Sequence, residues 1–420
     1  MSLRTAACLT IACAASLSTG ADWPQWRGPL GTGHATERLD PPLEWSPTKN
    51  VGWKTPLPGP GNSTPIIVGD RVFVTCAAEQ GKSRLLLCLA RATGRELWRS
   101  EARLDDAELT HETNPACASS PASDGRRVFV WHGSAGFFAY DLEGNELWRK
   151  DLGKFEHIWG YGSSPVVVGD RVILSAGPGL RAFVVALNTD TGEELWRFEP
   201  KESIAAKVDE FRGAWSTPVA AEIDGRTQLL AALPNWLYSL DPATGQVIWK
   251  CGGLGDLVYA SPLVGNGLVV AMSGYHGPSL GVRTVGAAGD VTATHRLWLR
   301  EGKPDNPQRV GSGVLVGDHV YIYNEPGVMW CLEARTGKTL WEQRLGGTSW
   351  CSACLVDGRI FVNTEAGETF VLAPSPERCE VVARNPLDEL MRASLAFAPG
   401  QIFARGYENL YCLEAARSPR

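Results

Sequence analysis

The sequence predicts an all-β chain, an eight-bladed β-propeller with four-stranded antiparallel blades whose ring is closed by an N-terminal strand. Three observations predict it. Tryptophan recurs at Trp53, Trp98, Trp148, Trp196, Trp249, Trp298 and Trp341, at intervals of 43 to 53 residues, a period that marks stacked or radially repeated supersecondary units. A hydroxyl-bearing opening heads each repeat: Ser63-Thr64-Pro65, Ser119-Ser120-Pro121, Ser163-Ser164-Pro165, Ser216-Thr217-Pro218 and Ala260-Ser261-Pro262. Degenerate copies follow at Gly311-Ser312-Gly313, Cys351-Ser352-Ala353 and Ala393-Ser394-Leu395, which makes eight. Between these landmarks run short apolar segments such as Val166 to Val168 and Val172 to Leu174, joined by Gly-Asp pairs at 69–70, 169–170 and 317–318, the pattern of hairpin strands.

Each element has its place in that scheme. Thr-Gly precedes tryptophan at 93–94, 191–192, 244–245 and 336–337, where glycine supplies the positive φ of a tight turn between two strands. The last repeat ends near Leu413 without a tryptophan strand, whereas Trp53 stands ahead of the first opening and belongs to no complete repeat. Pairing the strand around Trp53 with those near Ile402 and Tyr411 completes an eighth blade and removes the exposed sheet edges. Cys88, Cys331 and Cys412 fall at one equivalent small-residue position, where other repeats carry Ala139, Ala186 and Ser239. They read as small buried apolar groups.

Composition narrows the function classes. The chain has 420 residues, 44% hydrophobic and 20% charged, with 40 Lys+Arg against 46 Asp+Glu and a net charge of -6. This is ordinary globular composition, and without basic runs it argues against a nucleic-acid partner. Residues 1–21 have the small-residue apolar stretch and Thr19-Gly20-Ala21 ending of an export signal, so the expected location is periplasmic or extracellular. Cys13 leaves lipoprotein processing as a weaker alternative. Beyond residue 21 no stretch approaches a membrane span. Residues 22–44 are expected to pack on the propeller as an N-terminal extension, 45–415 to form the propeller, and 416–420 to be a tail. Removing Cys8 and Cys13 from 11 cysteines leaves nine, which is no small-domain disulfide framework.

The repeated Thr-Gly-x-x-x-Trp unit, preceded by strands ending Ser239-Leu240-Asp241 or Cys331-Leu332-Glu333, resembles the tryptophan-docking motif of the pyrroloquinoline quinone (PQQ) repeat superfamily. Trp23-Pro24-Gln25-Trp26-Arg27-Gly28-Pro29 resembles the mature N-terminus of its exported, BamB-like branch, and is expected to lie against the flank. The resemblance implies that the seven tryptophans pack between neighbouring blades. It also implies two functional outcomes, a non-enzymatic scaffold or a quinoprotein dehydrogenase with PQQ and Ca²⁺ in the funnel. The chain departs from the dehydrogenases in having no adjacent cysteine pair and no long walls of inserted sequence.

No phosphate loop, zinc helix or nucleophile turn is present, and no histidine pair has metal-like spacing. Neither catalytic nor metal-ligating residues are assigned. Cys351 and Cys354 form a C-x-x-C pattern, but the register sets them on an extended strand, three residues apart and therefore on opposite faces. The same alternation aims the residues two before each central hydroxyl at the channel: Asn62, Ala118, Gly162, Trp215, Tyr259, Val310, Trp350 and Arg392. With Arg309 and the long connections carrying His111, Glu112, Asn114 and Arg212, these form the expected rim. The reading is a monomeric binding or assembly scaffold without a cofactor, engaging an envelope protein, a peptide, a small polar ligand or a sugar. The alternatives are the PQQ–Ca²⁺ oxidoreductase and a carbohydrate-binding surface protein.

Overall fold

The computed structural model describes residues 22–303, 306 and 309–415; the expected export signal and the 416–420 tail lie outside the described residues. Short strands alternate with turns throughout, and the only helices among the described residues are three 3₁₀ turns. Seven blades follow one another along the chain, at Ile66–Arg103, Ala122–Lys150, Val166–Phe198, Val219–Gly252, Leu263–Arg300, Val314–Arg344 and Cys354–Pro386. In each, the first strand lies innermost and the fourth outermost. Blade 8 takes its three inner strands from Ala396–Ala398, Gln401–Arg405 and Asn409–Glu414, and its outermost from Val51–Pro56. The closing pairs are antiparallel, from Val51↔Leu413 to Pro56↔Asn409. The predicted fold and its closure are therefore those observed.

Apolar residues from facing sheets fill the spaces between blades. Ile66, Phe73, Leu86 and Cys88 of blade 1 meet Val128, Val130, Phe138 and Tyr140 of blade 2 in one buried cluster, and equivalent clusters join the later blades. The tryptophans seal the outer part of these seams. Trp53, Trp98, Trp148, Trp196, Trp298 and Trp341 each donate the indole N–H to a backbone carbonyl in the next blade's turn, at Arg91, Leu142, Thr189, Pro242, Ala334 and Ser375. Turn glycines lie flat on the rings: a Cβ on Gly94, φ +68°, would stand 2.5 Å from Trp53, and one on Gly192 2.7 Å from Trp148.

Trp249 departs from this scheme. Blade 5 has no Thr-Gly turn; its 284–295 connection instead lays Gly289–Asp290 in parallel against the outermost strand of blade 4, opposite Trp249. That added strand covers the ring completely, and the indole N–H turns inward to Gln228 Oε1 at 2.9 Å. Blade 7 has no tryptophan, because Ala383 occupies the equivalent register position opposite Val371. The N-terminal segment supplies the missing bulk. Trp45, 3% exposed, is tied through its backbone N–H to Asn385 and joins Leu39 in the buried cluster on which Ala383 packs.

Cys88, Cys331 and Cys412 lie directly opposite Trp98, Trp341 and Trp53 on the neighbouring strand. All three are buried free thiols, and burial pushes Cys88 and Cys412 up to about 12. They are expected to resist alkylation in the folded protein and to react only after denaturation, which mass spectrometry of pulse-labelled protein would read.

Candidate functional site

The eight openings converge on the axis. Each central hydroxyl accepts the backbone N–H of the preceding blade's equivalent residue: Thr64 donates to Ser120, Ser120 to Ser164, Ser164 to Thr217 and Thr217 to Ser261. Ser261 then donates to Ser312, Ser312 to Ser352, Ser352 to Ser394 and Ser394 back to Thr64, at distances of 2.8–3.1 Å. The result is a closed cycle of eight hydrogen bonds with every hydroxyl buried. Sequence alone marked these positions as strand starts and gave no sign of the cycle, because the bonds join residues 40 to 56 apart, or 330 apart at the closure.

A funnel of about 310 Å³ rises from this ring. All eight alternation-predicted positions line it: Asn62, Ala118, Gly162, Trp215, Tyr259, Val310, Trp350 and Arg392. Two walls differ in chemistry. Blades 3 to 5 and their connections build an aromatic wall, with Trp215 5.1 Å from Tyr259 and 5.9 Å from Trp159, and Trp159 6.1 Å from Tyr275. Phe211 and Tyr275, 51% and 46% exposed, carry this cluster out to solvent. Trp215 is fixed by its N–H to Gly160 O at 3.0 Å.

The opposite wall is polar. Asn62 Nδ2 donates to Thr113 O and Asn114 Oδ1, while its own Oδ1 is buried without a protein partner. Asn114 in turn donates to Trp159 O and Tyr161 O, which locks the two connections together. His111 lines the mouth beside them. Arg392 stacks over Trp350 and Tyr407, pairs with Glu365 at 2.5 Å and donates to Tyr407 Oη at 2.8 Å.

Three expected rim residues lie outside the lining. Glu112 offers only its backbone carbonyl, which accepts from Arg392 and Tyr407, and leaves its side chain in solvent. Arg212 is drawn to Glu210, Asp256 and the Glu202 carbonyl. Arg309 precedes Val310 by one residue, so strand alternation turns it away from the axis; it is 4% exposed and donates to the Ser273 and Gly277 carbonyls. Trp26, Trp159 and Tyr275 were missed as lining residues. The signal available for the last two was an aromatic in a short inter-strand connection.

The N-terminal extension crosses the far end of the axis. Trp23 exchanges backbone hydrogen bonds with Ile67, Pro24 O accepts from Ser123, and Gln25 Oε1 accepts from Val167. Arg27 reaches Gly313 O, and Gly33 and Ala35 clasp Leu355. Six blades are thereby tied at their inner strands, counting Trp23 on Phe397 at 5.2 Å. Trp26 closes the funnel floor.

The donor set decides what the funnel can hold. A Ca²⁺ site takes six to eight oxygens, several from carboxylates. Among the described residues no Asp or Glu lines the funnel, Glu365 is committed to Arg392, and no cluster of three His, Cys, Asp or Glu side chains could hold a metal. These residues do not fit a PQQ–Ca²⁺ pair. Cys351 and Cys354 are buried free thiols. Of the two, only Cys354 lies in a strand, Cys354–Val356. Cys351 accepts from Asn363 and donates to Met391 O, Cys354 donates to Leu395 O, and both thiols therefore turn toward blade 8 instead of to the opposite faces expected of a continuous strand.

Behind the polar wall, Arg84 donates to Tyr161 and Glu108 at 2.9 and 2.7 Å. His132 lies beside this network, fully buried with Nε2 unpartnered, and burial together with nearby Arg84 holds it down at about 3. The native ring stays neutral, whereas the unfolded chain takes up a proton below its ordinary 6.5. Stability present above pH 6.5 is thus lost as pH falls toward 3, by roughly 2 kcal/mol at pH 5. In denaturant melts at pH 7 and 5, His132→Asn is expected to remove that increment; an unchanged pH dependence would count against the assignment.

Eight four-stranded blades, tryptophans docked on the next blade's turn and an axial hydroxyl ring define the chain as a propeller of the PQQ-repeat kind. A family model described as outer membrane protein assembly factor BamB matches residues 81–316 and 287–375, over half of the chain, and the chain belongs to this family. It is 26% identical over 203 residues to the outer membrane protein assembly factor BamB of Burkholderia pseudomallei, covering 48% of this chain and 46% of that protein. It is 29% identical over 298 residues to the 1-butanol dehydrogenase (quinone) of Thauera butanivorans, covering 67% and 41%. The matches thus span less than half of either relative. Among solved structures, BamB from Moraxella catarrhalis superposes with TM-score 0.63 at 15% identity, covering 88% of this chain and 98% of that one. Quinohemoprotein alcohol dehydrogenase ADHIIG from Pseudomonas putida gives 0.66 at 12%, covering 95% and 81%. At such identities the likeness is one of fold.

Proposed function

We propose that the protein is an exported, non-enzymatic binding or assembly scaffold that seats a segment of an envelope partner, or a small polar ligand, in the axial funnel. The observation that carries this reading is the funnel's lining: an aromatic wall facing a polar one, with no carboxylate among the described residues to hold a dication. Aromatic anchors with a few convergent polar groups are the usual composition of a recognition pocket. Relatives named as assembly factors support the scaffold and relatives named as quinone dehydrogenases the alternative; between the two, the donor set supports the scaffold. The export signal read at residues 1–21 supports a periplasmic or extracellular location.

Two measurements test it. Purified protein mixed with PQQ and Ca²⁺ is expected to retain no quinone absorbance after desalting and to reduce no dye with alcohols. Stoichiometric retention with turnover, lost in Trp215→Ala, would establish the enzyme instead. Pull-down from the native envelope fraction is expected to capture a defined partner with wild type and at least tenfold less with Trp215→Ala or Arg392→Ala. Capture indifferent to both substitutions would remove the funnel from the binding surface.

A further inference from the structure

The axial ring leaves eight protons unassigned. Each central hydroxyl oxygen accepts an N–H from its neighbour, so its own O–H must point elsewhere, and among the described residues none of the eight finds a protein acceptor. Six of them, on Thr64, Ser120, Ser164, Thr217, Ser352 and Ser394, line the funnel floor, and all are at least 96% buried. A hydroxyl that accepts a hydrogen bond becomes a stronger donor. The floor is therefore a convergent set of polarised donors.

Its charge balance has the same gap. Arg27, wholly buried, lies on the far side of the ring against blades 6 and 7, where it reaches the carbonyl of Gly313, the residue after Ser312. Its Nε and Nη1 have no partner, and no carboxylate pairs with it among the described residues. Arg405, 1% exposed, donates to Ser63, the residue before Thr64, and also lacks an acidic partner. An uncompensated buried cation is costly, and two beside one ring of donors are costlier.

We propose that the funnel floor is a binding site for a small monovalent anion, a carboxylate or a halide, held by the hydroxyl ring with Arg27 as the buried countercharge. Ring hydroxyls donate to the anion from one side, and the guanidinium neutralises it from beyond the ring. The anion is either a free ion or the carboxylate of a ligand whose body lies on the Trp215–Tyr259 wall. The second source rests on the funnel as the binding site proposed above; the first does not.

The test is thermal melting of the purified protein titrated with sodium chloride, sodium acetate, indole-3-acetate and the uncharged indole-3-acetamide. Wild type is expected to gain stability saturably with chloride and acetate. Arg27→Met and the pair Ser120→Ala/Ser164→Ala are expected to weaken that affinity at least tenfold and keep only the unsaturable salt effect, and Ser164→Thr, which preserves the hydroxyl, to retain it. Arg27→Met is further expected to melt higher than wild type in anion-poor buffer, having lost an unpaired buried charge. Should Arg27→Met fail to fold, the serine pair decides. Tighter binding of indole-3-acetate than acetate, with none of the acetamide, identifies a ligand carboxylate; equal binding identifies a free ion. Absence of any saturable response in wild type, or an equal response in the serine pair, would overturn the site whatever the pull-down shows.

Discussion

Deleting residues through Thr55 is expected to abolish cooperative folding, whereas removing residues 416–420 leaves the melting temperature where it was. The deletion takes nearly all of the outermost strand of blade 8 and exposes the edge of Asn409–Glu414. It also removes Trp53, which docks on blade 1, Trp45, which stands in for the tryptophan that blade 7 lacks, and Trp23, wholly buried against Phe397. Burial of two large aromatics alone is worth more than roughly 6 kcal/mol, comparable to the entire stability of many domains. Trimming the far end leaves every described strand of the eight blades in the chain. Circular dichroism melts of both truncations check this, and a sharp, unshifted transition for the first would show that closure is dispensable.

Trp249→Ala is expected to be the most damaging of the single tryptophan substitutions, at roughly 3–5 kcal/mol, measured by denaturant unfolding. Trp98, Trp298 and Trp341 are partly solvent-exposed on the outer seam, but Trp249 is fully covered. Its removal leaves a cavity under Gly289–Asp290 and takes away one of the two hydrogen bonds to Gln228 Oε1, the other coming from Ser239. Trp98→Ala should cost measurably less. Equal costs would mean that the added parallel strand contributes nothing to the burial.

The fold was legible because its determinants are local and repeated. Thr-Gly turns, hydroxyl openings and tryptophans recur at blade spacing, and strand alternation projected the funnel-facing residues from the openings without any three-dimensional information. Alternation also explains Arg309, whose neighbour Val310 faces the axis in its stead. What was not legible depends on contacts between distant segments. The Trp23–Pro29 element was expected on the flank, yet it spans the axis because its backbone and side chains, continued by Gly33 and Ala35, bond or pack against the inner strands of six blades, contacts that no periodicity encodes. Trp159 and Tyr275 sit in connections whose course is set by Asn114 and by the cluster around Phe211. Trp249 looked like its six counterparts, since only the missing turn in blade 5 distinguishes it.

The hydroxyl cycle also governs the overall shape. Every one of its eight bonds runs in the same rotational sense, from one blade to the next, so each blade's height along the axis is measured against both neighbours. Were each blade offset by even a fraction of a residue, the displacements would add around the circle and the final bond, Ser394 to Thr64, could not form. Its formation at 3.1 Å means that the offsets sum to zero. The molecule is held as a level wheel instead of a lock washer, and a slipped register in any one blade would be felt at the seam where the chain's two ends meet.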